Sequence, residues 1–537
     1  MVVDSTSWLP RPLEEIGRSI GIPKPDLPAN DDSDDAWRVR CAGDVRILAA
    51  AMLQLLNYWA TNQLGRWRAT GPSCGFAAMR HLLADRSILI HPSDEWSDIE
   101  HAAIYGGYRW TGRVGELTGG AYCEVDFTRA YTTIAAHLPL PVSRVYIDKR
   151  PTIDRLERDT QFLGAIADAT ITTSVPRYPV RVSGIIYYPV GEFRTILAGD
   201  DLKHAIRNGD IRCVHRVAYY RLGVALQEWA RWILGILDDT TGPHNAVVQI
   251  AAKGWSRSVI GKFAARTPEF HDLGYWPRQE FGIEPYMELP SGKVGYAIYG
   301  GERLIAQVGG RDTDNSLPAI LAFIEAATRS RIISAIERVG WRRIITADTD
   351  GIIVDMADLI TAYIDARPEI WQYATASYVI DRILDDLAEY TRPLRARLKA
   401  LNRHLNVSGP QHIVGDTTRK LSGVSRHAQE TDNGTYRFHA WPSIIYQSSN
   451  SRPGEYVRPL REIRISRIAA TGHVTDDGYV EPWTATIGAD GATQIERRAQ
   501  LQRWHDIDLA YGKPGVGQII HPRVPLTVSH AIGRSCK

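Results

Sequence analysis

Long segments of the chain repeat apolar residues at the spacing of an α-helix. Residues 37–60 and 217–237 have this pattern, so each is expected to form a helix with one apolar side. A third helix is predicted from Pro318, which suits a first helical turn, to Gly340, which suits a helix end. The apolar stripe of this third helix consists of Ile320, Ile324, Ile332, Ile336 and Val339.

Shorter runs rich in β-branched and aromatic residues predict strands. Residues 122–127 form such a run, and a helix is predicted directly afterwards over 129–137. Asp126 is therefore expected where a strand ends and a helix begins. Residues 180–193 predict a pair of strands, and the glycines and tyrosines of 281–310 predict a β-rich insertion.

The sharpest local pattern is a hairpin with carboxylates at its tip. Two β-branched arms, residues 344–346 and 352–354, flank Asp348-Thr349-Asp350-Gly351. Two carboxylates so close together repel each other, and a bound divalent cation is a common reason for that arrangement. A solvated turn is the plainer alternative, because Asp-Gly is common in hairpins.

The composition is that of a large globular protein. The chain has 537 residues, a net charge of +2, 44% hydrophobic residues and 23% charged residues. This length predicts several packed units, and this composition argues against disorder or a coiled coil. The near-neutral total does not identify a partner, because a basic groove can be balanced by acidic surface elsewhere.

Cysteine spacing and hydropathy indicate the cellular compartment in which the protein is expected. The cysteines lack any Cys-x-x-Cys pair, so neither a disulfide framework nor a cysteine zinc site is predicted. The most apolar stretch, 47–60, is interrupted by Gln54 and Asn57 and is too short for a membrane span. The N-terminus has no signal pattern. We therefore expect a soluble protein in a reducing, intracellular (cytoplasmic) environment that does not bind a membrane.

A cationic helix adds to the acidic positions. Lys253, Arg257, Lys262 and Arg266 recur at roughly helical spacing, so they can share one broad face. An acid at a strand end, a cationic helix and a paired acid then follow one another along the chain. Two acids sharing Mg²⁺ beneath a cationic helix are what two-metal nucleotidyl transfer requires.

Three motifs in this order resemble family B DNA polymerases, most closely the phage and plasmid branch with its protein-primed enzymes. Asp126-Phe127-Thr128-Arg129-Ala130-Tyr131 resembles motif A, Asp-x-x-Ser-Leu-Tyr. The resemblance implies that Asp126 and Phe127 belong to the metal site. It also implies that Phe127 lies at the nucleotide and that Tyr131 is the gate beneath its sugar, excluding a 2′-hydroxyl.

The other two motifs complete the resemblance. Residues 253–263 are similar to motif B, which makes Lys253, Arg257 and Gly261 nucleotide-binding residues. Residues 346–351 resemble motif C, which makes Asp350 the second metal ligand and Asp348 its supporting acid. The chain departs from the family pattern in having Arg129, Arg257, Ile260 and Gly351 where the family has Ser, Asn, Tyr and Ser.

Further positions are implied for nucleic-acid contacts. The 104–107 loop resembles the element linking exonuclease and polymerase domains, so Tyr105, Gly106 and Gly107 are expected to contact DNA, together with Lys262 and Lys420. Plain packing is the alternative role for Tyr105.

Resemblance to the proofreading domain is limited to its last part. Asp44 matches the last exonuclease motif, whereas the earlier motifs would lie before residue 1. Since a two-metal nuclease cannot work on one acid, no proofreading is expected.

The resemblance implies an α+β, multidomain right-hand polymerase. The predicted domains are an exonuclease-like remnant (1–92), a first palm part with an insertion (93–240), fingers with a β-rich insertion (241–315), a second palm part (316–407) and a thumb (408–537). Its implied activity is template-directed deoxynucleotide addition with two Mg²⁺, which Mn²⁺ can replace. Its implied partners are template and primer DNA, dNTPs and a terminal protein, and we expect a monomer encoded by a phage or plasmid.

Two other functions stay open at this point. An apolar strand followed by Asp-x-Asp-Gly also resembles the nucleophile motif of haloacid-dehalogenase phosphatases, with Asp348 attacking phosphorus. Ile352 stands where that family usually has Thr. A degenerate polymerase that only binds nucleic acid is the second alternative.

Overall fold

A computed structural model gives the three-dimensional structure of the chain. It describes residues 8–26, 34–83, 94–239, 246–275, 282–288, 293–300, 303–313, 315–366, 376–409, 411–421, 424, 428–431, 435–439, 460–464 and 471–496. The statements below concern these residues. Much of the predicted thumb, including 441–459 and 497–537, lies outside them.

The helices are α1 (Leu13–Ser19), α2 (Asp34–Thr61), α3 (Gly71–Leu82), α4 (Asp94–Ala102), α5 (Ala130–His137), α6 (Ile153–Asp159), α7 (Gly199–Arg207), α8 (Gln227–Asp238), α9 (Ala246–Lys262), α10 (Pro318–Val339), α11 (Met356–Ala366) and α12 (Ala376–Tyr390). The strands of the first two-thirds of the chain are β1 (Tyr108–Thr111), β2 (Gly115–Phe127), β3 (Leu140–Asp148), β4 (Gly164–Thr173), β5 (Val180–Val182), β6 (Ile185–Tyr187), β7 (Val190–Ala198), β8 (Ile211–Gly223), β9 (Arg266–Tyr275), β10 (Gly282–Glu288), β11 (Lys293–Gly300), β12 (Arg303–Asp312), β13 (Ile344–Thr349) and β14 (Gly351–Asp355). The remaining strands are β15 (Ala396–Gly409), β16 (His412–Gly415), β17 (Arg419–Leu421), β18 (Gln429–Thr431), β19 (Thr435–His439), β20 (Leu460–Arg464), β21 (Gly472–Val474), β22 (Val480–Pro482), β23 (Thr484–Ile487) and β24 (Thr493–Ile495).

A seven-stranded antiparallel sheet carries the predicted motifs. Its strand order is β1-β13-β14-β2-β15-β16-β17, so the motif A strand β2 lies between the hairpin strand β14 and the later strand β15. We call this sheet the palm sheet. It continues through β16 and β17, beyond residue 408, where the sequence predicts the start of the thumb.

Helix α10 lies at the centre of the main hydrophobic core. It contacts α4, α5, α7, α11 and α12 as well as strands β1 and β13. Ile320, Ile324, Ile332 and Ile336 are fully buried, which confirms the predicted stripe. The helix starts at Pro318 and is followed by Gly340, also as predicted. It therefore connects the palm sheet to the rest of the protein.

A second sheet takes four strands, β3, β4, β7 and β8, from the chain between the motif A strand and the cationic helix, and two strands, β23 and β24, from residues 484–495. Its order is β24-β23-β7-β4-β8-β3, and all neighbours are antiparallel except β23 and β7. We call the four strands β3, β4, β7 and β8, with α6 and α7, the insertion unit. The prediction of one helix over 217–237 is wrong in its first third, because 217–223 belong to strand β8 and helix α8 begins only at Gln227. Neighbouring strands β3 and β4 pair with both edges of β8, which favours the strand.

The other predicted elements are found with small differences. The strand pair over 180–193 is β5 with β6, and β7 begins inside the same range. A four-stranded sheet, β10-β11-β12-β9, forms the predicted β-rich insertion after α9, within the residues described there. In the described parts of the chain, no helix is both long and apolar enough to cross a membrane.

Candidate active site

The register of the palm sheet brings the predicted acids together. Gly351 of β14 lies opposite Asp126 of β2. The backbone N–H of Phe127 donates to the carbonyl oxygen of Asp350 at 2.6 Å. Asp126 on β2 and Asp350 in the turn between β13 and β14 are therefore held side by side, although they are far apart in sequence.

The hairpin tip is a tight turn with its own support. Thr349 has a left-handed backbone (φ 59°), and the N–H of Asp350 donates to the carbonyl oxygen of Asp348 at 2.7 Å. The carboxylate of Asp348 accepts a hydrogen bond from Gln411 Nε2 at 3.3 Å and lies 3.7 Å from Arg109 Nε. Asp348 is thus anchored from two neighbouring elements, in keeping with a supporting role.

The two facing acids differ in their electrostatic surroundings. Burial, together with the negative charges of Asp126 and Asp348, raises the pKa of Asp350 to about 6. Asp126 instead forms an ion pair with Arg397 on β15, whose Nε and Nη2 donate to Oδ2 at 3.0 and 2.9 Å. Arg397 therefore neutralises the carboxylate of Asp126, whereas repulsion and burial make the carboxylate of Asp350 costly to ionise.

These residues suit a hard divalent cation, which prefers oxygen ligands. The donors are the carboxylates of Asp126 and Asp350, next to the main chain of Phe127. A cation between them would relieve the repulsion that raises the pKa of Asp350. No three His, Cys, Asp or Glu side chains converge as a metal cluster within the described ranges. The fit therefore rests on two carboxylates.

Helix α9 presents two of the four predicted cations, Lys253 and Arg257, on one exposed face, whereas Lys262 is half-buried at its end. Lys253, Arg257 and Gly261 are exposed at spacings of four residues, whereas Trp255 and Val259 between them are buried. A Cβ atom at Gly261 would meet nothing within 4 Å, so this part of the helix face is open. Arg266 lies outside the helix, on β9.

The cations of α9 belong to a larger group near Asp126. Burial and the positive charges of Arg257, Arg11, Arg397 and Arg129 lower the pKa of Lys253. Arg397 is also the partner of Asp126. The α9 cations and the acids therefore belong to one electrostatic site, and clustered cations of this kind suit a polyphosphate.

Arg129 and Tyr131 follow Asp126 in motif A, at the start of α5. Burial and the charge of Glu325 raise the pKa of Tyr131, and Asp350 adds to the shift, so the phenol is close to the acids. Arg129 adopts a left-handed conformation (φ 52°) before α5. Its guanidinium binds Asp238 and the carbonyl oxygen of Leu237 at the end of α8. This Arg, a departure from the family pattern, thus joins motif A to α8.

The 104–107 loop is packed beneath the hairpin. Tyr105 is 7% exposed; its hydroxyl bonds to Thr195, and its ring lies between Arg181 and Arg329. The prediction that Tyr105 contacts DNA is therefore corrected to packing. Gly106 has φ +79° with open space around it, which leaves a DNA contact there as a prediction.

A buried ion network holds this loop. Glu325 and Arg329, one helical turn apart on α10, are 6% and 1% exposed. The carboxylate of Glu325 accepts the N–H groups of Tyr105 and Gly106 at 3.0 and 2.7 Å. Arg329 donates to the carbonyl oxygen of Gly106 at 2.5 Å and to Asp201 of α7 at 2.8 and 3.0 Å. The sequence analysis missed this network, although two charged residues inside the apolar pattern of α10 are a signal for a buried pair.

Gly107 provides a direct link to the catalytic hairpin. A Cβ atom at this position would lie 2.5 Å from Thr349 Cγ2 and 2.7 Å from Thr349 Cα. Because the turn cannot accommodate that atom, we expect Gly107→Ala to displace the tip and to reduce primer extension at least about tenfold. The matched control is Gly235→Ala on α8, where an added Cβ meets nothing and activity should persist. Equal activity of both variants would contradict this packing role.

The remaining predicted residues have defined contacts. Lys262 Nζ is 3.3 Å from Ser73 Oγ, and Lys420 Nζ is 2.9 Å from Glu124 Oε1. Asp44 on α2 is paired with Lys24 and Arg40 at 3.3 and 3.6 Å. Sequence reasoning also missed Arg397 and Lys399 of β15, because their approach to β2 depends on sheet pairing that leaves no local pattern.

Comparisons with known proteins agree with this architecture. The family model "DNA polymerase type B, organellar and viral" matches residues 29–271, which include Asp126 and Lys253. No curated protein sequence matches the chain significantly.

Solved structures of phi29 DNA polymerase share its fold. The complex with primer-template DNA and incoming nucleotide substrates is 15% identical with a TM-score of 0.52, covering 92% of this chain and 78% of that chain. The orthorhombic crystal form is 14% identical with a TM-score of 0.51, covering 92% and 72%. The post-translocation binary complex with primer-template DNA is 16% identical with a TM-score of 0.50, covering 86% and 71%. At these identities the similarity is one of fold.

The family match over residues 29–271, the mixed helix-and-sheet fold and the acidic site beside a cationic helix together support a DNA-directed DNA polymerase. The chain is similar in these respects to the organellar and viral type B enzymes.

Proposed function

We propose that the polymerase adds deoxynucleotides to a primer 3′-hydroxyl at the pair formed by Asp126 and Asp350. The observation that carries the proposal is the register that places Gly351 opposite Asp126 and joins Phe127 to Asp350 by a 2.6 Å hydrogen bond. Arg397, the ion-pair partner of Asp126, is one of the cations whose charges act on Lys253 of α9. Acids beside a cationic face can serve both the attacking hydroxyl and the phosphate that it attacks.

Asp126, Asp350 and the main chain of Phe127 would hold the metal, with Asp348 as the supporting acid. Two Mg²⁺ ions, or Mn²⁺ in their place, would neutralise charge and activate the 3′-hydroxyl. The residues themselves orient the reactants. Lys253 and Arg257 bind the triphosphate, and Tyr131 lies beneath the sugar, where its bulk excludes a 2′-hydroxyl.

The triphosphate role of Lys253 makes a measurable prediction. A charged hydrogen bond contributes about 1.5–3 kcal/mol, so Lys253→Gln should raise the KM for dNTPs by about 10- to 100-fold. Arg231→Gln on the exposed side of α8 is the control, and its KM should stay within about twofold of the original. Steady-state extension at varied dNTP concentration measures both. An unchanged KM in the Lys253 variant would remove this residue from the nucleotide site.

The partners follow from the same site. The phi29 polymerase structures similar to this chain are complexed with primer-template DNA and with incoming nucleotides, which supports DNA and dNTPs as the ligands here. Protein priming extends the proposal: a terminal protein hydroxyl would replace the primer hydroxyl, with the insertion unit as its contact surface. Failure to attach a deoxynucleotide to any co-encoded protein would count against priming by protein. We further propose that the enzyme acts as a monomer inside the cell.

The two alternative functions are not favoured. The phosphatase would need Asp348 at the end of a strand in a parallel, doubly wound sheet, yet β13 lies between antiparallel neighbours. Asp348 is also engaged by Gln411 and lies near Arg109. A protein that only binds nucleic acid would have no need for the Asp126–Asp350 pair.

Extension of a labelled primer on a DNA template tests the proposal. With Mg²⁺ and four dNTPs the primer should lengthen to the template end, and excess EDTA should stop it. Tight DNA binding by folded protein without any extension would instead favour the binding-only alternative. Release of phosphate from a monoester without extension would favour the phosphatase.

Absence of proofreading remains a prediction. The contacts of Asp44 in the structure are to the cations Lys24 and Arg40. Within the described residues its ion pairs are with cations alone, whereas a nuclease metal pair needs a second acid. Removal of 3′ nucleotides that disappears in Asp44→Asn would overturn the prediction.

A further inference from the structure

A second acid lies on the same face of the motif A strand as Asp126. Glu124 is two residues before Asp126 on β2, and side chains at that spacing in a strand point to one face. Glu124 is 3% exposed. A buried carboxylate so close to the reaction site is expected to have charged or hydrogen-bonding partners, because burying a charge without partners is costly.

The partners of Glu124 are two lysines from later strands. Lys399 Nζ of β15 and Lys420 Nζ of β17 lie 2.8 and 2.9 Å from the same oxygen, Oε1. Thr418 Oγ1 donates to the other oxygen, Oε2, at 3.1 Å. Burial raises the pKa of Glu124, but the hydrogen bonds and charges of the two lysines more than offset this and leave the pKa lowered. Both oxygens are occupied, so Glu124 is not arranged as a metal ligand.

A further layer fixes this arrangement. Asn402 is fully buried, and its Nδ2 donates to Thr418 Oγ1 at 2.9 Å. Its Oδ1 accepts the backbone N–H groups of Thr417 and Thr418 at 2.8 and 3.0 Å. Every polar atom in this chain of contacts is therefore satisfied, as expected of a preorganised site.

The lysines remain partly accessible. Their side chains are 44% (Lys399) and 25% (Lys420) exposed, against 4% for Glu124. Together the three groups carry a net charge of +1, and Lys399 lies two residues after Arg397, the partner of Asp126, on the same strand β15. A cationic pair is thus presented to solvent beside the catalytic acids.

This pair is separate from the cations of α9. Lys399 and Lys420 lie on β15 and β17 of the palm sheet and share one oxygen of Glu124, whereas Lys253 and Arg257 lie on helix α9. Two groups of cations therefore adjoin the acids. Nucleotidyl transfer brings two polyanions to one point, the incoming triphosphate and the primer strand. Because the triphosphate is assigned to the cations of α9, Lys399 and Lys420 are the cations available to bind the primer strand.

We propose that Glu124 is a positioning residue, which fixes the ammonium groups of Lys399 and Lys420 so that together they bind the last phosphodiester of the primer. The inference rests on the proposed function, since it assumes extension at Asp126 and Asp350. The phosphodiester that it concerns is one sugar away from the attacking 3′-hydroxyl. Holding that phosphate orients the hydroxyl, so the contribution is to the rate of extension.

The test combines Glu124→Gln with a modified primer. The substitution keeps the size of the side chain and removes the charge that holds the lysines. Extension of an ordinary primer should slow about tenfold or more. Replacing the last phosphodiester of the primer by a neutral methylphosphonate should slow the natural protein by a similar factor. Glu124→Gln has already lost the positioned cations. Its rate on the methylphosphonate primer should therefore be less than about threefold below its rate on the ordinary primer.

Glu116→Gln is the matched control, because Glu116 lies on the same strand and pairs with His404 at 2.8 Å on the protein surface. It should behave as the natural protein with both primers. If thermal unfolding shows that Glu124→Gln does not fold, Lys420→Gln supplies the same comparison and should also lose sensitivity to the methylphosphonate.

Three results would overturn the inference. The first is full activity of Glu124→Gln, and the second is an undiminished methylphosphonate effect in the folded variant. The third is a natural protein that extends both primers equally well. Failure of the natural protein to extend even the ordinary primer would overturn the proposed function itself, so the two failures are distinguishable.

Discussion

Primer extension should fall about 10³-fold or more in Asp350→Asn, while the metal-free protein becomes more stable at neutral pH. The amide cannot supply the negative charge that a divalent cation needs, and metal stabilisation of a phosphoryl transition state is worth several kcal/mol. Each 1.36 kcal/mol corresponds to a tenfold change in rate. The loss should appear in kcat, because Lys253 and the primer contacts are unaltered.

The gain in stability follows from the raised pKa of Asp350. Its pKa is about 6 in the fold against 3.8 ordinarily, so the folded state binds this proton more tightly than the unfolded state. The stabilisation is complete below about pH 4 and is lost as the pH rises through about 6. Above that pH the ionised carboxylate costs on the order of 3 kcal/mol. Asp350→Asn removes this cost, so its advantage over the natural protein should be largest above pH 7 and smallest near pH 4.

Asp355→Asn is the control for both measurements. Asp355 ends β14, and its Oδ1 accepts the backbone N–H of Ala357, a bond that asparagine can also make. Single-turnover extension and denaturant unfolding with EDTA at pH 4, 6 and 8 give the required comparison. Substantial extension by Asp350→Asn would remove Asp350 from the reaction. A stability advantage that grew on acidification would contradict the account of its pKa.

Arg329→Met should destabilise the protein by about 3–5 kcal/mol, the usual cost of leaving a buried charge without its partner. Asp201 and Arg329 are 0% and 1% exposed, and Glu325 is 6% exposed. Methionine retains much of the packing volume but none of the hydrogen bonds to Asp201 and Gly106. Two carboxylates would then share the core without the cation that hydrogen-bonds to Asp201, although the charges of Arg177 and Arg181 would still act on them.

The pH dependence of that loss has a definite sign. Burial raises the pKa of Asp201 and of Glu325, and the charge of Arg329 lowers both. Without Arg329 both pKa values should rise further, so the variant folds best with the carboxyls protonated. Its deficit relative to the natural protein should therefore be smaller at pH 5 than at pH 8. Denaturant unfolding at these two pH values measures it.

Arg18→Met serves as the comparison substitution. Arg18 on α1 pairs with Glu14 at 2.8 Å, and both side chains are about two-thirds exposed or more (72% and 67%). Exposed pairs of this kind contribute about 0–1 kcal/mol. Losses of similar size in the two variants would show that the buried network does not stabilise the fold as inferred. Because Arg329 also holds Gly106, its variant should extend primers more slowly even at temperatures where it stays folded.

Local patterns predicted the parts of the site that depend on near neighbours in sequence. The hairpin around Asp348 and Asp350 follows from β-branched arms and a turn sequence, and the cationic face of α9 follows from helical spacing. Strand β2, with Asp126 next to its last residue, follows from its apolar run. Their convergence was predicted only through the family resemblance, because no periodicity specifies which strands become neighbours in a sheet.

The features that were missed depend on contacts distant in sequence. Lys399 and Lys420 reach Glu124 only because β15 and β17 extend the palm sheet. Residues 217–223 have enough apolar residues for either a helix or a strand, and pairing with β3 and β4 favours the strand. Tyr105 is an aromatic residue of the kind that stacks on bases. In the structure its backbone N–H donates to Glu325, 220 positions later, which holds Tyr105 in the core.

The parallel contact of β23 with β7 constrains the order in which the chain can fold. Thr493 and Arg194, bonded across this edge, are separated by 299 residues. During synthesis the insertion unit therefore emerges long before the strands that complete its sheet, and β7 stays an open edge while the palm and α10 are still being made. Closure of so long a loop is slow, and an unpaired edge can accept foreign strands. Expression at low temperature, or with a chaperone that shields sheet edges, should accordingly increase the fraction of chains that reach the native state.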